Sequence, residues 1–413
     1  MARESELSDF YDVVVIGAGP AGSCAAWRAA LEGCSVLLLE KDLEIGAQVR
    51  CAEGISARAV HAFIGVPPPE LVSAKISRVR FTSPDGATAT LMHEIDSYVL
   101  DRKAFDKALA ARAVSAGAVV LTGSRALSMK QHGCGWEVAV DIDGARHTVH
   151  AKGVVGADGI ESRVGRWAGL KTHTPLEEME SCYQYRLSGV EVDQHVVELV
   201  FGSGIAPSGY AWIFPKGEDT ANVGLGIKRQ AAPVQITAKD YLDRWIEERF
   251  PGAGSLGEFA GGVPISVTLP LISADGLVLA GDAAHQVNPL SGAGISSGMR
   301  GGWLAGGVLA GQVTRGDTSA KALRCYDESW RSLLGRLHEN HYRVAQVIFN
   351  TTDSQFNSLA GELASLPEEK RTLYAAVSRA VRSRPSLLLQ LAGYFRNWWS
   401  SDSGRGYPES PPQ

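Results

Sequence analysis

The sequence shows no cysteine pattern that would predict disulfide bonds. Its six cysteines, at positions 24, 34, 51, 134, 182 and 325, form no Cys-x-x-Cys pair and no regular framework. Disulfides are rare in reducing compartments, whereas dense, regularly spaced cysteines are typical of small secreted domains. We therefore expect free thiols and a cytoplasmic location.

Long apolar runs and an excess of positive charge are also missing. A membrane-spanning helix needs roughly 18 apolar residues in succession, and no segment approaches that length. The N-terminus is polar and acidic and leads directly into a strand pattern, so no secretory signal is predicted. The formal net charge of −5 argues against a general nucleic-acid binder. These features predict a protein that is soluble or that lies on a membrane surface.

The 413 residues, 45% of them hydrophobic and 21% charged, are enough for two or three domain-sized units. Tyr11–Ile16 has the continuous apolar pattern of a buried parallel strand. The glycine-rich segment Gly17–Gly22 follows at once, then a predicted helix over Ser23–Leu31 and a second strand over Ser35–Leu39. This order is the β-α-β context of a dinucleotide-binding fold.

Each residue of this fingerprint has its own expected task. Gly17 allows a tight turn, Gly19 lets the backbone approach a pyrophosphate, and Gly22 lets the helix pack on the strand. Glu40 lies 18 residues beyond Gly22 and can accept a hydrogen bond from a ribose hydroxyl. A second Gly-x-Gly-x-x-Gly match, Gly252–Gly257, follows Pro251 rather than a strand and is predicted to be a loop.

A second cofactor segment, Asp275–Gly302, lies far from the first. It combines a buried strand over Leu277–Ala280, a sharp turn at Gly281-Asp282, a loop, and a helix start rich in small residues. Such a helix start offers backbone N–H groups and a positive dipole end to an electron-rich group. Two separate cofactor segments favour FAD over NAD, because FAD is long enough to need contacts at both ends.

Further elements follow from periodicity and from turn residues. An amphipathic helix is predicted over Asp101–Ser115 with Asp101 as its N-cap, and strands over Ala118–Thr122, Trp136–Val140, His147–His150 and Lys152–Gly159. We expect a discontinuous FAD-binding domain (1–75, 101–180 and 271–320), an inserted sheet domain for the substrate (76–100 and 181–270), a helical C-terminal region (321–400) and a disordered tail (401–413).

The motifs GAGPAGS near the start, GADG at 156–159 and GDAAH at 281–285 resemble those of the p-hydroxybenzoate-hydroxylase-like flavoproteins. That resemblance implies an α/β fold with a Rossmann-type FAD domain, into which a mixed or antiparallel sheet domain is inserted. It maps Gly17, Gly19, Gly22, Glu40, Arg102, Asp158 and Asp282 onto FAD contacts. Arg102 would approach the pyrophosphate, Asp282 the ribityl–pyrophosphate region, and Gly292, Gly294 and Ile295 the flavin pyrimidine.

Two further motifs narrow the resemblance. Arg50–Ser56, RCAEGIS, and Tyr210–Pro215, YAWIFP, are similar to signatures of the geranylgeranyl reductase family. Membership would imply an oxidoreductase that uses reduced FAD to saturate isoprenoid double bonds, on archaeal membrane lipids, chlorophyll precursors or quinone tails. The Cys51 motif resembles the archaeal-lipid branch most. The electron donor, NAD(P)H or a ferredoxin-like protein, stays open.

The YAWIFP strand suits that chemistry. Strand periodicity places Tyr210, Trp212 and Phe214 on one face. A returning strand after a five-residue loop, Lys216–Thr220, would set Phe214 opposite Asn222, Trp212 opposite Gly224 and Tyr210 opposite Gly226. Aromatic rings beside residues with little side chain would form a trough for a flat hydrocarbon, although the same pattern also fits a face buried in the core.

Cys51 is a further catalytic candidate, as a proton donor or redox-active thiol near the flavin, with Glu53 as a possible charge partner. The alternative is a small buried hydrophobe. His285 is expected to be structural. A Gly-x-Ser-x-Gly match at Gly294–Gly298 lacks the preceding strand of a hydrolase elbow. His338 and His341 share a helix face without a third ligand, so no metal site is predicted.

Residues 370–399 combine six lysines and arginines, no acidic residue, and an apolar aromatic end. That composition predicts peripheral membrane contact at the inner face of the cell membrane, or else a pair of helices packed on the domain. Overall, the sequence predicts an FAD-dependent reductase of isoprenoid lipids. The alternatives are an aromatic monooxygenase that uses NAD(P)H and O₂, and a prenyl-lipid carrier without redox chemistry.

Overall fold

A computed structural model describes residues 7–47 and 49–382, without the side chains of residues 93–95 and 229. The described chain divides into two units. The first contains the described residues up to Val49, with Arg102–Thr174 and Pro264–His338; the second contains Arg50–Asp101, Pro175–Val263 and the described residues from Glu339.

Sixteen strands are described. In chain order they are β1 (Phe10–Ile16), β2 (Val36–Leu39), β3 (Gly54–Ser56), β4 (Val72–Thr82), β5 (Thr88–Leu100), β6 (Val119–Leu121), β7 (Ser124–His132), β8 (Gly135–Ile142), β9 (Ala145–Gly156), β10 (Met179–Ser188), β11 (Val196–Val200), β12 (Tyr210–Gly217), β13 (Thr220–Lys228), β14 (Gly254–Pro264), β15 (Ser273–Ala274) and β16 (Leu277–Leu279).

Ten α-helices accompany them in the described part of the chain. They are α1 (Pro20–Leu31), α2 (Ala57–Ile64), α3 (Arg102–Ser115), α4 (Arg163–Trp167), α5 (Ala238–Arg249), α6 (Ile295–Arg315), α7 (Ala320–Trp330), α8 (Arg336–Ile348), α9 (Asp353–Ala364) and α10 (Leu373–Val381).

The first unit is built on a sheet with the central order β15-β16-β9-β1-β2-β6. Strands β16, β9, β1, β2 and β6 run parallel, and β15 is antiparallel to β16. All four residues of β2 are buried, as expected for a parallel strand covered on both faces. This sheet and helix α1 form the predicted Rossmann-type arrangement, so the predicted fold class is confirmed.

Strand β9 corrects the sequence interpretation. The predicted hairpin strand His147–His150 and the predicted buried strand Lys152–Gly159 are one continuous strand that ends at Gly156. Its first half pairs antiparallel with β8, and its second half pairs parallel with β1. One strand can pair with both β8 and β1 because its two halves form hydrogen bonds to different neighbours. Local periodicity in the sequence does not reveal that the two halves are continuous.

The second unit is built on a mixed sheet with the order β14-β10-β13-β12-β11-β4-β5-β3. Strands β10, β13, β12 and β11 are antiparallel in succession, whereas β11 and β4 run parallel. Helix α5 covers one face with Tyr241, Leu242 and Trp245 in a common apolar core. The predicted loop at Gly252–Gly257 is wrong for its second half, because β14 begins at Gly254.

The units also differ from the expected boundaries. Residues 50–75 belong to the sheet unit rather than to the FAD unit, because β3 and β4 both pair with β5. The helices after residue 320 do not form a separate region either. Helix α7 belongs to the first unit, α8 is divided between the units after His338, and α9 and α10 belong to the second unit.

The predicted membrane segment 370–399 is described only up to Arg382. In that part, Val377 and Val381 are buried, and Arg379 lies 3.8 Å from a carboxylate oxygen of Glu362 on α9. Helix α10 thus packs within the second unit, while the rest of the segment and the tail 401–413 lie outside the described residues. None of the described helices is both long enough and apolar enough to cross a bilayer.

Candidate active site

The three glycines of the first fingerprint meet different surroundings. A Cβ atom on Gly17 would lie 2.3 Å from the carbonyl oxygen of Ala157, and one on Gly22 would lie 1.8 Å from that of Gly17. Gly17 also has a φ of 101°, which disfavours other residues. At Gly19, by contrast, a Cβ would meet nothing within 4 Å. Two glycines therefore permit close packing, and the middle one borders open space.

That open space lies at the start of helix α1. Gly19 is the N-cap residue and has no side chain that could bond the first N–H groups. At the end of β2, the Glu40 carboxylate accepts hydrogen bonds from the backbone N–H groups of Ala18 at 2.9 Å and Asp42 at 3.0 Å. Glu40 thus fastens the glycine loop and stays beside the helix terminus.

Asp158 and Arg102 also lie in the first unit, on other elements than the glycine loop. Asp158 accepts a hydrogen bond from the N–H of Val164 through Oδ2, while its Oδ1 is buried without a hydrogen-bond partner among the described residues. Burial raises the pKa of Asp158. Arg102, the first residue of α3, pairs with Asp106 through two contacts of 2.8 Å. Its charge is therefore held by the helix on which it lies.

The second cofactor segment forms a short turn of 3₁₀ helix, Gly281–Ala284, and the start of α6. Burial raises the pKa of Asp282, and the charge of Arg102 opposes that rise. A Cβ on Gly294, the N-cap of α6, would lie 3.2 Å from Asp282 Oδ1. Gly292, at a φ of 66°, makes the turn that leads into Ile295.

The small residues of α6 have a packing task that the sequence analysis did not assign. A Cβ on Gly302 would lie 1.9 Å from the carbonyl oxygen of Ala21, and one on Gly306 would lie 2.2 Å from that of Ala25. Helices α1 and α6 therefore touch backbone to backbone. This contact brings the two cofactor segments, which are far apart in the chain, next to each other in the first unit.

His285 is bound at both ring nitrogens. The Oγ of Ser266 lies 2.8 Å from Nδ1, and the Oγ1 of Thr174 lies 2.9 Å from Nε2. Burial lowers the pKa of His285 to about 4. A neutral imidazole tied to two hydroxyls fits the structural role that we expected.

These features fit FAD. An open helix N-terminus suits a pyrophosphate, Glu40 lies at the end of β2 where a ribose-binding acid is expected, and the buried Asp158 Oδ1 offers an acceptor that the described residues leave without a hydrogen bond. The contact between α1 and α6 brings together the two segments that a long dinucleotide needs.

In the second unit, one face of the sheet carries the predicted aromatic row. The register pairs Phe214 with Asn222, Trp212 with Gly224 and Tyr210 with Gly226, as predicted. The predicted five-residue loop is wrong, because β12 extends to Gly217 and β13 begins at Thr220. A register shift between Pro215 and Gly217 absorbs the extra residue and keeps the predicted pairs.

The Trp212 ring occupies the space that Gly224 leaves. A Cβ on Gly224 would lie 2.6 Å from Trp212 Cζ2, so the indole lies against the glycine backbone. Trp212 Nε1 donates a hydrogen bond of 2.9 Å to Gln184 Oε1 on β10. The Tyr210 and Trp212 rings meet edge to face at 5.9 Å, whereas Phe214 packs beneath Gly54. Only Tyr210 and Trp212 therefore fit the trough that the sequence predicts.

The loop that carries Cys51 is anchored to this same face. Gln184 Nε2 donates 3.0 Å to the carbonyl oxygen of Cys51, and Asn222 Nδ2 donates 3.3 Å to that of Ala52. Cys51 Sγ accepts a hydrogen bond from the N–H of Glu53 at 3.2 Å. The two motifs that suggested a reductase are thus joined by side chains of β10 and β13.

Glu53 has a different partner from the one suggested by the sequence. It is 3% exposed and has a φ of 74°, and its carboxylate pairs with Lys216 and, at 3.1 Å, with Arg186. Lys216 Nζ also donates to the carbonyl oxygen of Leu100 at 2.5 Å. The carboxylate therefore forms a buried ion cluster that fixes the loop, while the backbone N–H of Glu53 donates to Cys51 Sγ.

Sequence reasoning missed the polar residues of β10. Glu180, Cys182 and Gln184 alternate along the strand, so they share the face of the aromatic row. Glu180 follows Glu177 and Glu178, which makes the run resemble a solvated loop. The signal that could have found them is the alternation of polar residues along β10. Cys182 and Gln184 of that strand pair with Gly226 and Gly224 of β13.

Comparisons with known proteins agree with this geometry. Residues 178–263 match a family model described as the geranylgeranyl reductase catalytic domain, and residues 12–78 match one described as FAD dependent oxidoreductase. The digeranylgeranylglycerophospholipid reductase of Methanosphaerula palustris is 39% identical over 388 residues, which cover 92% of this chain and 97% of the relative. That of Methanoculleus marisnigri is 40% identical over 391 residues, which cover 93% and 98%.

Solved structures point the same way. A geranylgeranyl bacteriochlorophyll reductase-like protein from Thermoplasma acidophilum matches with a TM-score of 0.87 and 32% identity, over 93% of this chain and 99% of that one. A flavin-dependent brominase matches at a TM-score of 0.70 and 18% identity, over 94% of this chain and 100% of that one, and shares the fold alone. Our chain therefore belongs to the geranylgeranyl reductase family of FAD-dependent oxidoreductases.

Proposed function

We propose that this protein saturates the carbon–carbon double bonds of geranylgeranyl chains on a glycerophospholipid of the archaeal type. One observation carries the proposal: the Cys51 loop and the Tyr210–Trp212 row are fastened to one sheet face by Gln184. That face lies in the segment that matches the geranylgeranyl reductase catalytic domain. The names of the relatives support the choice of lipid.

The proposed FAD contacts lie in the first unit. Gly17, Gly19 and Gly22 would take the pyrophosphate at the start of α1, Glu40 the ribose, and Asp158, Asp282 and Arg102 the ribityl–pyrophosphate side. Gly292, Gly294 and Ile295 would face the flavin pyrimidine at the start of α6. Reduced flavin supplies a hydride when it is bound.

The proposed catalytic face must solve one chemical problem. An isolated trisubstituted alkene is a poor hydride acceptor, so the site must exclude water and stabilise transient positive charge on carbon. The rings of Tyr210 and Trp212 can do both, because their faces are apolar and carry negative charge density. Each is worth about 0.5–2 kcal/mol toward a nearby cation. The bond from Trp212 Nε1 to Gln184 fixes the orientation of the larger ring.

Cys51 and Phe214 complete the proposed set. Cys51 lies in a loop held by two side-chain amides, a placement that suits a thiol which must contact the reacting chain. Phe214 would shape the floor beneath Gly54 rather than contact the alkene. If Cys51→Ser binds FAD and reduces the lipid normally, Cys51 has no part in the reaction.

The decisive experiment is anaerobic incubation of the FAD-loaded protein, chemically reduced, with digeranylgeranylglycerophospholipid. Mass spectrometry should show a gain of two mass units for each bond saturated. Oxygen-dependent hydroxylation of an aromatic compound would instead establish the monooxygenase alternative. A protein that purifies without flavin and binds the lipid unchanged would establish the carrier alternative.

We further propose a cytoplasmic location and contact with the inner face of the membrane. All six cysteines are free, which supports a reducing compartment. The composition of residues 370–399 supports surface contact. Deleting residues 386–413 should lower binding to anionic liposomes while FAD stays bound; equal binding would refute the contact. The electron donor could be NAD(P)H or a ferredoxin-like protein, which anaerobic reduction assays with each will distinguish.

A further inference from the structure

An acid lies at one end of the catalytic sheet face. Glu180 is the second residue of β10 and is 4% exposed. Side chains two apart on a strand point the same way, so Glu180 shares the face of Cys182 and Gln184. Gln184 binds both Trp212 and the Cys51 loop. The acid therefore belongs to the same row of side chains as the proposed catalytic residues.

Glu180 and Cys182 meet over a glycine. Gly226 pairs with Cys182 on one side and with Tyr210 on the other. A Cβ on Gly226 would lie 3.0 Å from Glu180 Oε2 and 3.1 Å from Cys182 Sγ. A carboxyl and a thiol thus converge above a residue without a side chain, and Tyr210 is paired with that residue from the other strand.

No hydrogen bond among the described side chains accounts for this buried acid. Glu180 Oε1 is buried and has no hydrogen-bond partner among the described residues. Lys228 is directly opposite on β13, but its ammonium lies 4.8 Å from the centre of the Phe349 ring. A buried acid without a hydrogen bond is costly, whereas glutamine or methionine would fit a purely structural position at lower cost.

Protonation states separate the three groups. Burial raises the pKa of Glu180 to about 7, and the charge of Lys228 limits the rise. Burial also raises the pKa of Cys182 and of Tyr210, and Glu180 raises both further. The thiol and the phenol therefore hold their protons at neutral pH, and Glu180 is the group of the three that can release and regain one.

We infer that Glu180 is the acid that protonates the isoprenoid double bond, with Cys182 and Tyr210 as the neutral walls of its site. The inference rests on the proposed function. The O–H bond of Glu180 breaks and a C–H bond forms at one alkene carbon. The other carbon accepts a hydride, so both electrons come from reduced FAD, which is oxidised. The Glu180 carboxylate then regains a proton from water, and the balance is one added H₂ per double bond.

The surroundings of Glu180 set its pH dependence. The titratable groups that face it are Lys228 on β13, Tyr210 on β12, Cys182 on its own strand, and Cys51, whose charge would act on Cys182 and Tyr210. Glu258 on the adjacent strand β14 instead accepts a hydrogen bond from Tyr183. Lys228 is thus the one cation that acts on Glu180 among the described groups.

The test uses the FAD-loaded, chemically reduced full chain, the digeranylgeranyl lipid, and three variants. Glu180→Gln should lower the single-turnover rate at least 100-fold, since general acids contribute on the order of 10²–10⁴, with FAD content unchanged. The wild-type rate should fall as pH rises through about 7, and the rate of the Gln variant should not show this fall. Glu180→Asp should retain part of the rate, and its rate should fall over a different pH range. Glu258→Gln, an exposed glutamate of the same sheet, should match the wild type.

A second readout does not depend on activity. The ordinary pKa of a glutamate is 4.5, and that of Glu180 in the folded protein is about 7. Between these two pH values the folded wild type should hold a proton on Glu180, whereas the unfolded chain has released it. The urea midpoint of Glu180→Gln should therefore rise relative to wild type between pH 5 and pH 8. In infrared spectra, a protonated-carboxyl band should vanish in wild type across that range and be absent from the variant.

The outcomes separate the two proposals. Wild type that leaves the lipid unchanged refutes the proposed function. Wild type that reduces the lipid, together with a Glu180→Gln protein of equal rate and pH profile, refutes only the role of Glu180. If the difference in urea midpoint between wild type and Glu180→Gln does not change with pH, the pKa of Glu180 is not raised. The proposed proton donor at neutral pH would then be refuted.

Discussion

The indole of Trp212 lies against the backbone of Gly224, at a distance that leaves no room for a Cβ atom on the glycine. The contact explains why a glycine stands in the middle of a buried strand, where it would otherwise weaken the sheet. It also means that the shape of the proposed catalytic face depends on a residue with no side chain.

Gly224→Ala should therefore displace the Trp212 ring. The added Cβ would lie 2.6 Å from the indole and 2.8 Å from the carbonyl oxygen of Tyr183. We expect a loss of about 1–3 kcal/mol in the free energy of unfolding, measured by urea denaturation. The matched control is Gly361→Ala at an exposed position of α9, where a Cβ meets nothing within 4 Å; it should gain about 0.5–1 kcal/mol. Equal effects of the two changes would contradict the packing argument.

Trp212→Ala should lower turnover of the geranylgeranyl lipid by roughly 2- to 30-fold and leave FAD content unchanged. The ring is expected to contribute about 0.5–2 kcal/mol of charge stabilisation and to exclude water. Trp212→Phe keeps an aromatic face but loses the hydrogen bond to Gln184, so an intermediate rate is expected. Flavin absorbance and lipid mass spectrometry measure the two quantities separately, and unchanged turnover of the Ala variant would remove this ring from the mechanism.

Gly22→Ala should weaken FAD binding. Its Cβ would lie 1.8 Å from the carbonyl oxygen of Gly17, so the glycine loop must shift at the start of α1. We expect at least a tenfold loss of affinity when FAD is titrated into flavin-free protein. Gly311→Ala in α6, which meets nothing within 4 Å, should bind FAD as the wild type does. Normal binding by Gly22→Ala would place the pyrophosphate elsewhere.

Lys216→Met should destabilise the second unit by about 3 kcal/mol, because it leaves the buried Glu53 carboxylate with Arg186 as its remaining cation. Burial lowers the pKa of Lys216 while Glu53 opposes that effect, so the two charges support each other. The control is Arg78→Ala, which removes an exposed ion pair with Asp193 and should cost no more than about 1 kcal/mol. Comparable losses in urea titrations would mean that burial adds nothing to the Glu53 cluster.

Stability should fall in acid because of His285. Its folded-state pKa of about 4 lies below the ordinary 6.5, so the unfolded chain binds a proton that the folded chain refuses. The stabilisation is complete above pH 6.5 and is lost as pH falls toward 4, by roughly 3 kcal/mol. His285→Asn should flatten this part of the pH–stability curve. A steep curve in the Asn variant would assign the effect to another group.

Much of the catalytic sheet could be predicted because its signals are local. The alternation of Tyr210 and Trp212 against Gly226 and Gly224 predicted the strand pairing correctly, even though the loop between the strands is shorter than expected. The bulge after Pro215 compensated for that error. Local patterns also indicated β1 and the glycine loop, in which each residue's conformation is set by its immediate neighbours.

Features that depend on distant strands could not be predicted. Glu180 stands in an acidic run typical of a solvated loop, yet it is buried because β13 and β12 lie beside β10. The two predicted strands that merge into β9 are another case, since their continuity depends on β1 and β8. The small residues of α6 looked like a cofactor surface, but Gly302 and Gly306 pack on α1.

The sequence by itself determined the FAD-dependent class and the aromatic row, because glycine spacing and strand alternation are read within a few residues. The family followed from the resemblance of two short motifs, Arg50–Ser56 and Tyr210–Pro215, to those of known reductases. The tertiary structure decided which side chains meet on the proposed catalytic face: Glu53 with Lys216, Gln184 with Trp212, and Glu180 with Cys182 over Gly226. The physical reason is that burial and charge pairing depend on what lies opposite a residue across the sheet, and these neighbours come from segments far apart in the chain.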